Sequence, residues 1–114
     1  MNFSALQRFQ FENLIQTQAH FCFFNLSEDL RSWYGPMERM HFDRVEIRCS
    51  ADEIEKHLSE RKFPKDFAIL ILCEDGTTSA AKQKSLEDLG YKNVYYIEGG
   101  TSKLRLEKSV GKST

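Results

Sequence analysis

The residue types best placed to do chemistry stand together in "AILILCEDGTTSA", residues 68–80. An apolar run ends in Cys73 and is followed by Glu74, Asp75, Gly76 and three hydroxyl residues, Thr77, Thr78 and Ser79. A strand, a glycine-bearing loop and a helix in succession form an anion site. Loop and first-turn amides point inward, and the helix dipole adds partial positive charge. A thiol placed at such a point is favoured as thiolate, the nucleophilic form. Gly76 lets the chain take a positive φ in the tight curve, while residues 77–79 supply caps and donors to whatever the sulfur carries. The competing reading is that Cys73 is the last buried residue of a strand, since free cysteine is commonly buried and inert.

The acidic pair works against anion capture. A unit charge about 7 Å from the sulfur contributes on the order of 0.6 kcal/mol at water's dielectric and about 2.4 kcal/mol at an effective value of 20. A helix N-terminus offers roughly 0.3 to 1 kcal/mol in the other direction. Glu74 and Asp75 therefore cancel the dipole unless they turn into solvent. Backbone amides aimed at the sulfur remain the favourable contribution that no side chain removes.

The other candidates are scattered. Cys22 and Cys49 complete an odd set of three cysteines with no close spacing, and His20, His41 and His57 do not stand at metal-ligand spacing from them. Neither a disulfide framework nor a metal site is expected, and no cofactor. Cys22, inside "FCFF", reads as core; Cys49 precedes a helix cap, and a redox partnership with Cys73 would need the two within bridging distance. Trp33 and Tyr34 read as packing residues. Sixteen Lys and Arg balance 17 Asp and Glu, a net charge of −1 that gives no electrostatic reason to expect nucleic acid or an anionic membrane as partner. No apolar run approaches the roughly 20 residues needed to span a bilayer, and the N-terminus lacks the order of a secretory signal. A cytoplasmic protein is expected.

These residues need a scaffold, and 114 residues suffice for one domain. Phe11, Leu14, Ile15 and Gln18 line one face of a short helix. "HFCFFNL" reads as a strand covered on both sides, and "SEDLRSWYGP" as a helix of one or two turns stopped by Gly35 and Pro36. "RVEIRC" is an alternating strand. "SADE" after it is a capping box, opening a helix over about 50 to 61 with Ala51, Ile54 and Leu58 inward. "FAILIL" is a central strand of a parallel sheet. A helix over about 79 to 89 puts Ala81 and Leu89 on one face and stops at Gly90. "NVYYIE" is a strand, "GG" a turn and "TSKLRLEK" a last helix. A domain over 1–108 with a flexible tail at 109–114 is expected. The alternation predicts an α/β domain with a mainly parallel sheet between helical layers, whose ligands bind at the carboxyl ends of the strands. Cys73 lies at such an end.

With these elements in place, "ILCEDGTTSAAKQKSLEDLGYKNVYYIEGG" resembles the second half of rhodanese-like domains. Their active loop reads CxxGxRS or CxxGxRT and is followed by an alanine-rich helix, a GY or GF pair, a strand and an EGG turn. Cys73, Gly76 and Ser79 match the loop, and Gly90, Tyr91, Glu98, Gly99 and Gly100 the later positions. "FCFFNLSED" is similar to the family's LLIDVRE strand, with Asn25 and Ser27 in place of Asp and Arg. "HFDRVEI" resembles the HIPGAINI segment, which places His41 at the family's histidine. The resemblance implies a rhodanese-like fold, a mainly parallel five-stranded sheet flanked by helices on both faces. Two departures stand out: Thr78 where most active members have an arginine that holds an anionic donor, and Leu104 where many have a tryptophan.

By that resemblance Cys73 is the nucleophile of a sulfurtransferase and residues Glu74, Asp75, Gly76, Thr77, Thr78 and Ser79 form the cradle of its persulfide. The implied partners are a small sulfur donor or a protein persulfide, and a thiol or cyanide acceptor. The alternative is a rhodanese-like module without efficient turnover, serving interaction or sensing. Phosphatases that share this architecture need a longer loop ending in an arginine that clamps phosphoryl oxygens in pairs, which neither Thr78 nor Ser79 can do.

Overall fold

The computed structural model describes residues 4–17 and 19–112. Its elements are β1 (Ala5–Leu6), α1 (Arg8–Gln16), β2 (Cys22–Asn25), α2 (Pro36–Val45), β3 (Glu46–Arg48), α3 (Ile54–Arg61), β4 (Ile69–Leu72), α4 (Thr77–Asp88), β5 (Val94–Ile97) and α5 (Gly100–Lys112). All strands run parallel in the order β1-β5-β4-β2-β3. Parallel neighbours bring every strand's carboxyl end to one edge, so the segments after β2, β3, β4 and β5 converge there. The α/β expectation holds, with the sheet wholly parallel.

The doubly covered reading of the central strands has a direct cause. On β2 and β4 alternate residues feed two cores. Phe23, Leu70 and Leu72 meet Phe11 and Ile15 of α1, Phe42 of α2 and Leu104 of α5. Cys22, Phe24, Ile69 and Ile71 meet Ile54 and Leu58 of α3 and Leu86 of α4. Each such fully buried side chain contributes roughly 1.5 to 3 kcal/mol by leaving water. These layers pack the end of β4 on both faces. Leu104, in place of the family's tryptophan, is 2% exposed and belongs to the first core.

Several local expectations are corrected. "SEDLRSWYGP" forms one turn, within the one or two expected, but of 3-10 type and confined to Arg31–Trp33. Asn25 intervenes: its Oδ1 accepts from the Ser27 amide at 2.9 Å, and Asp29 Oδ1 accepts from the Arg31 amide at 3.0 Å, side-chain bonds that compete with the helical ladder. Pro36 starts a helix as well as ending a segment. It takes the first position of α2, where a missing N–H costs nothing, and Glu38 accepts from the Gly35 amide at 3.0 Å. The strand expected over "RVEIRC" shrinks accordingly to Glu46–Arg48.

The "SADE" helix begins as a 3-10 turn at Ala51–Glu53, with Glu53 Oε1 accepting from the Ser50 amide at 2.9 Å, and continues as α3. In α4 the buried face is Ser79, Gln83 and Leu86; Ala81 is exposed and Leu89 is 55% exposed. Gln83 is buried because its amide donates to Ser4 Oγ at 2.9 Å and the Val94 carbonyl at 3.2 Å. β1 is too short for periodicity to reveal, and it pairs beside β5 through the Tyr96 and Glu98 amides, which donate to Ser4 and Leu6. Gln18, residues 1–3 and 113–114 lie outside the described residues. Of the tail proposed for 109–114, residues 109–112 continue the backbone of α5.

Candidate active site

Cys73 follows β4 directly and is 5% exposed. The chain turns at Gly76, whose φ of +90° belongs to the left-handed region and whose missing Cβ would lie 2.9 Å from the Gly99 nitrogen. This turn aims two amides back at the sulfur: Gly76 N donates to Cys73 Sγ at 3.1 Å and Ser79 N at 3.3 Å. Ser79 Oγ stands 3.2 Å from Sγ and donates to the Gly76 carbonyl at 3.2 Å. α4 begins at Thr77, so both amides belong to its first turn or the residue before it.

The remaining loop residues divide. Thr77 and Thr78 are exposed and line the mouth. Asp75 Oδ1 accepts from the Thr77 amide at 3.0 Å and its hydroxyl at 2.7 Å, bonds that hold the carboxyl below the ordinary aspartate range. The same oxygen lies 3.9 Å from Cys73 Sγ. Glu74 turns away. Arg105 of α5 donates to both its oxygens, at 2.9 and 2.6 Å, and to Glu28 at 3.0 Å. Both carboxylates are exposed, so this pair orients Glu74 more than it stabilises the fold.

A second brace comes from the turn after β5. The Thr101 amide donates to the Cys73 carbonyl and the Ser102 amide to the Glu74 carbonyl, each at 2.9 Å. Gly100, with a φ of +62°, permits this approach, for a Cβ there would lie 2.3 Å from the Cys73 oxygen. The sequence marked "GG" only as a turn. Its work as the clamp on the loop's carbonyls, and the reach of Arg105, carry no sequence signal because both depend on β5 lying beside β4.

Over the sulfur opens a cavity of about 420 Å³, walled by Leu26 beyond β2, Ser50 and Ala51 beyond β3, and the loop itself. None of its lining side chains is cationic. The arrangement can hold a sulfur atom or a small group on Cys73 beneath neutral hydroxyls. It offers no guanidinium to grip a phosphoryl group, since Arg105 is committed to Glu74 and Glu28.

The other candidates lie elsewhere. Cys49 follows β3, two strands from β4, which puts it about 10 Å from Cys73 at ordinary strand spacing, beyond disulfide reach. Burial pushes its thiol up to about 11, with Glu53 adding to the effect, and burial pushes the Cys22 thiol up to about 12. Both should therefore stay unmodified by iodoacetamide in the native protein at pH 8 and react once it is unfolded; peptide mapping reads this directly. His41 is buried in α2, 3% exposed, with Nε2 donating to the Ala19 carbonyl at 2.9 Å. Ala19 precedes β2, so His41 stands at the amino end of the sheet, opposite Cys73. Burial, ahead of every other influence, lowers its pKa.

A family model described as "Rhodanese-like domain" matches residues 42–107. A curated protein of Arabidopsis thaliana, "Rhodanese-like domain-containing protein 11, chloroplastic", is 39% identical over 41 residues; these are 36% of this chain and 14% of that protein's length. Among solved structures, the human single-domain sulfurtransferase TSTD1 superposes with a TM-score of 0.62 at 12% identity, over 94% of this chain and 98% of that one. A rhodanese-related protein from Thermoplasma volcanium gives 0.60 at 18% identity, over 92% and 93%. A Rhodopseudomonas palustris protein described as a possible tyrosine phosphatase gives 0.66 at 19%, over 91% and 80%. At these identities the structures speak for the fold alone.

Proposed function

The chain belongs to the rhodanese-like domain family, and on that premise we propose that it is a sulfurtransferase carrying sulfane sulfur as a persulfide on Cys73. The observation that carries this reading is the convergence of the Gly76 and Ser79 amides on Sγ. A persulfide is anionic, and backbone donors can follow its charge without changing protonation. In the first step the Cys73 thiolate attacks the outer sulfur of a donor RS–S⁻. The new Sγ–S bond forms as the donor's S–S bond breaks, RS⁻ departs and takes up a proton from solvent, and the persulfide remains. In the second step a thiol or cyanide attacks the outer sulfur, and the Cys73 thiolate is regenerated. Ser79 Oγ stands 3.2 Å from the sulfur, where a hydroxyl can donate to the thiolate or accept from the thiol.

Thr78 in the loop and Asp75 beside the sulfur support a second reading, an interaction or sensing module that holds sulfur without rapid turnover. Mass spectrometry of the native chain after exposure to cysteine persulfide and to thiosulfate separates carriage from its absence. A one-sulfur adduct on Cys73 is expected with the persulfide. Its failure to form with either donor would withdraw the carrier reading.

A further inference from the structure

We propose that the mouth over Cys73 selects persulfide donors by charge, taking a sulfur flanked by a cationic group, as in an aminothiol or a basic protein segment, in preference to one flanked by an anion. This rests on the persulfide reading above and names the donor that it leaves open. The inference comes from the distribution of charge around one atom. Glu74 is engaged by Arg105, but Arg105 also serves Glu28, so this cluster of one cation and two carboxylates keeps a net negative charge. Asp75 has no cationic partner among the described residues; its bonds are to the amide and hydroxyl of Thr77, which leave the charge in place. Its Oδ1 lies 3.9 Å from Sγ, and Asp75 lines the cavity that opens over the sulfur. The rest of the mouth is neutral: Leu26, Ser50, Ala51, Thr77 and Thr78.

An approaching donor therefore meets a negative mouth with backbone donors only at its floor. A doubly charged oxyanion is repelled by the carboxylates before it reaches those donors, whereas an ammonium two carbons from the sulfur can rest against Asp75 as its sulfur reaches Sγ. Asp75 would then be the residue that sets specificity, through charge complementarity between mouth and donor. The cavity of about 420 Å³ has room for such a tail.

The test uses two persulfides with the same two-methylene spacer and opposite terminal charge, cysteamine persulfide and 3-mercaptopropionate persulfide, each rate divided by that of the same donor with free cysteine so that the different leaving thiolates cancel. The readout is the rate of one-sulfur adduct formation on Cys73. The native chain should react with the cationic donor faster by on the order of tenfold, for a single full charge a few ångströms away, and added salt should narrow the gap. Asp75→Asn keeps an oxygen to accept from Thr77 and should bring the two rates close together, with unchanged circular dichroism showing that it folds. Equal rates in the native chain, or a ratio that Asp75→Asn leaves untouched, overturn the charge selection while sparing the carrier. No adduct with either donor overturns the carrier reading, and this inference with it.

Discussion

Cys73→Ser is expected to reduce sulfur transfer from a persulfide donor to cyanide to the uncatalysed background, a loss on the order of 10³-fold or more. A serine hydroxyl is not ionised at neutral pH and cannot hold sulfane sulfur, so both steps of the relay fail together. The fold should survive. Serine is slightly smaller than cysteine, and its oxygen can accept from the Gly76 and Ser79 amides that now converge on Sγ. Thiocyanate formation, measured beside the unfolding midpoint of both proteins, checks the two statements at once. Equal rates in native chain and variant would support the interaction module, because a true carrier has no route to product without the thiol.

Gly100→Ala carries the other large effect, and it acts on the same loop from outside. The alanine would have to adopt a φ of +62°, a conformation costing roughly 1 to 2 kcal/mol for an L-residue. Its Cβ would also stand 2.3 Å from the Cys73 oxygen and 2.7 Å from the Glu74 carbonyl carbon, backbone atoms that cannot swing aside as a side chain can. Relief requires separating the start of α5 from the loop, which strains the bonds from the Thr101 and Ser102 amides. A total loss of about 3 kcal/mol is expected. The unfolding midpoint should fall by on the order of 10 °C, and transfer should slow in the protein that remains folded.

Gly90→Ala is the control for this argument. Gly90 also has a positive φ, +100°, yet the nearest atom to its added Cβ is a flexible lysine carbon at 4.0 Å. It should lose only the conformational part. Denaturant titrations that gave the two variants equal losses would refute the clamp.

Where sequence reading succeeded and where it failed follow from how far apart the deciding residues lie. "FAILIL" and "FCFF" announced buried central strands because burial on both faces leaves no polar alternate. The "SADE" box lies within four residues, and so its cap was readable. α2 was not: Gly35 and Pro36 stop one segment and start the next, and their sequence is the same in both roles. The buried face of α4 escapes the sequence pattern for a related reason. Gln83 is buried by hydrogen bonds to Ser4 and Val94, which are 79 and 11 residues away, and no apolar pattern records a satisfied amide.

At the candidate site the division is sharper. Residue order alone determined that a thiol ends a central strand, that a glycine turn and a helix start follow, and that the loop lacks an arginine. Those are properties of one continuous segment, settled by local sterics, helix capping and the apolar run that precedes them. Only the tertiary structure decided what becomes of the acidic pair. Arg105 lies 31 residues beyond Glu74 and reaches it because β5 sits beside β4 and delivers the start of α5 onto the loop. Asp75 stays beside the sulfur because it caps the helix that forms the cradle. Adjacent in sequence and alike in charge, the two carboxylates part because one meets a distant cation and the other only its neighbours' amide and hydroxyl.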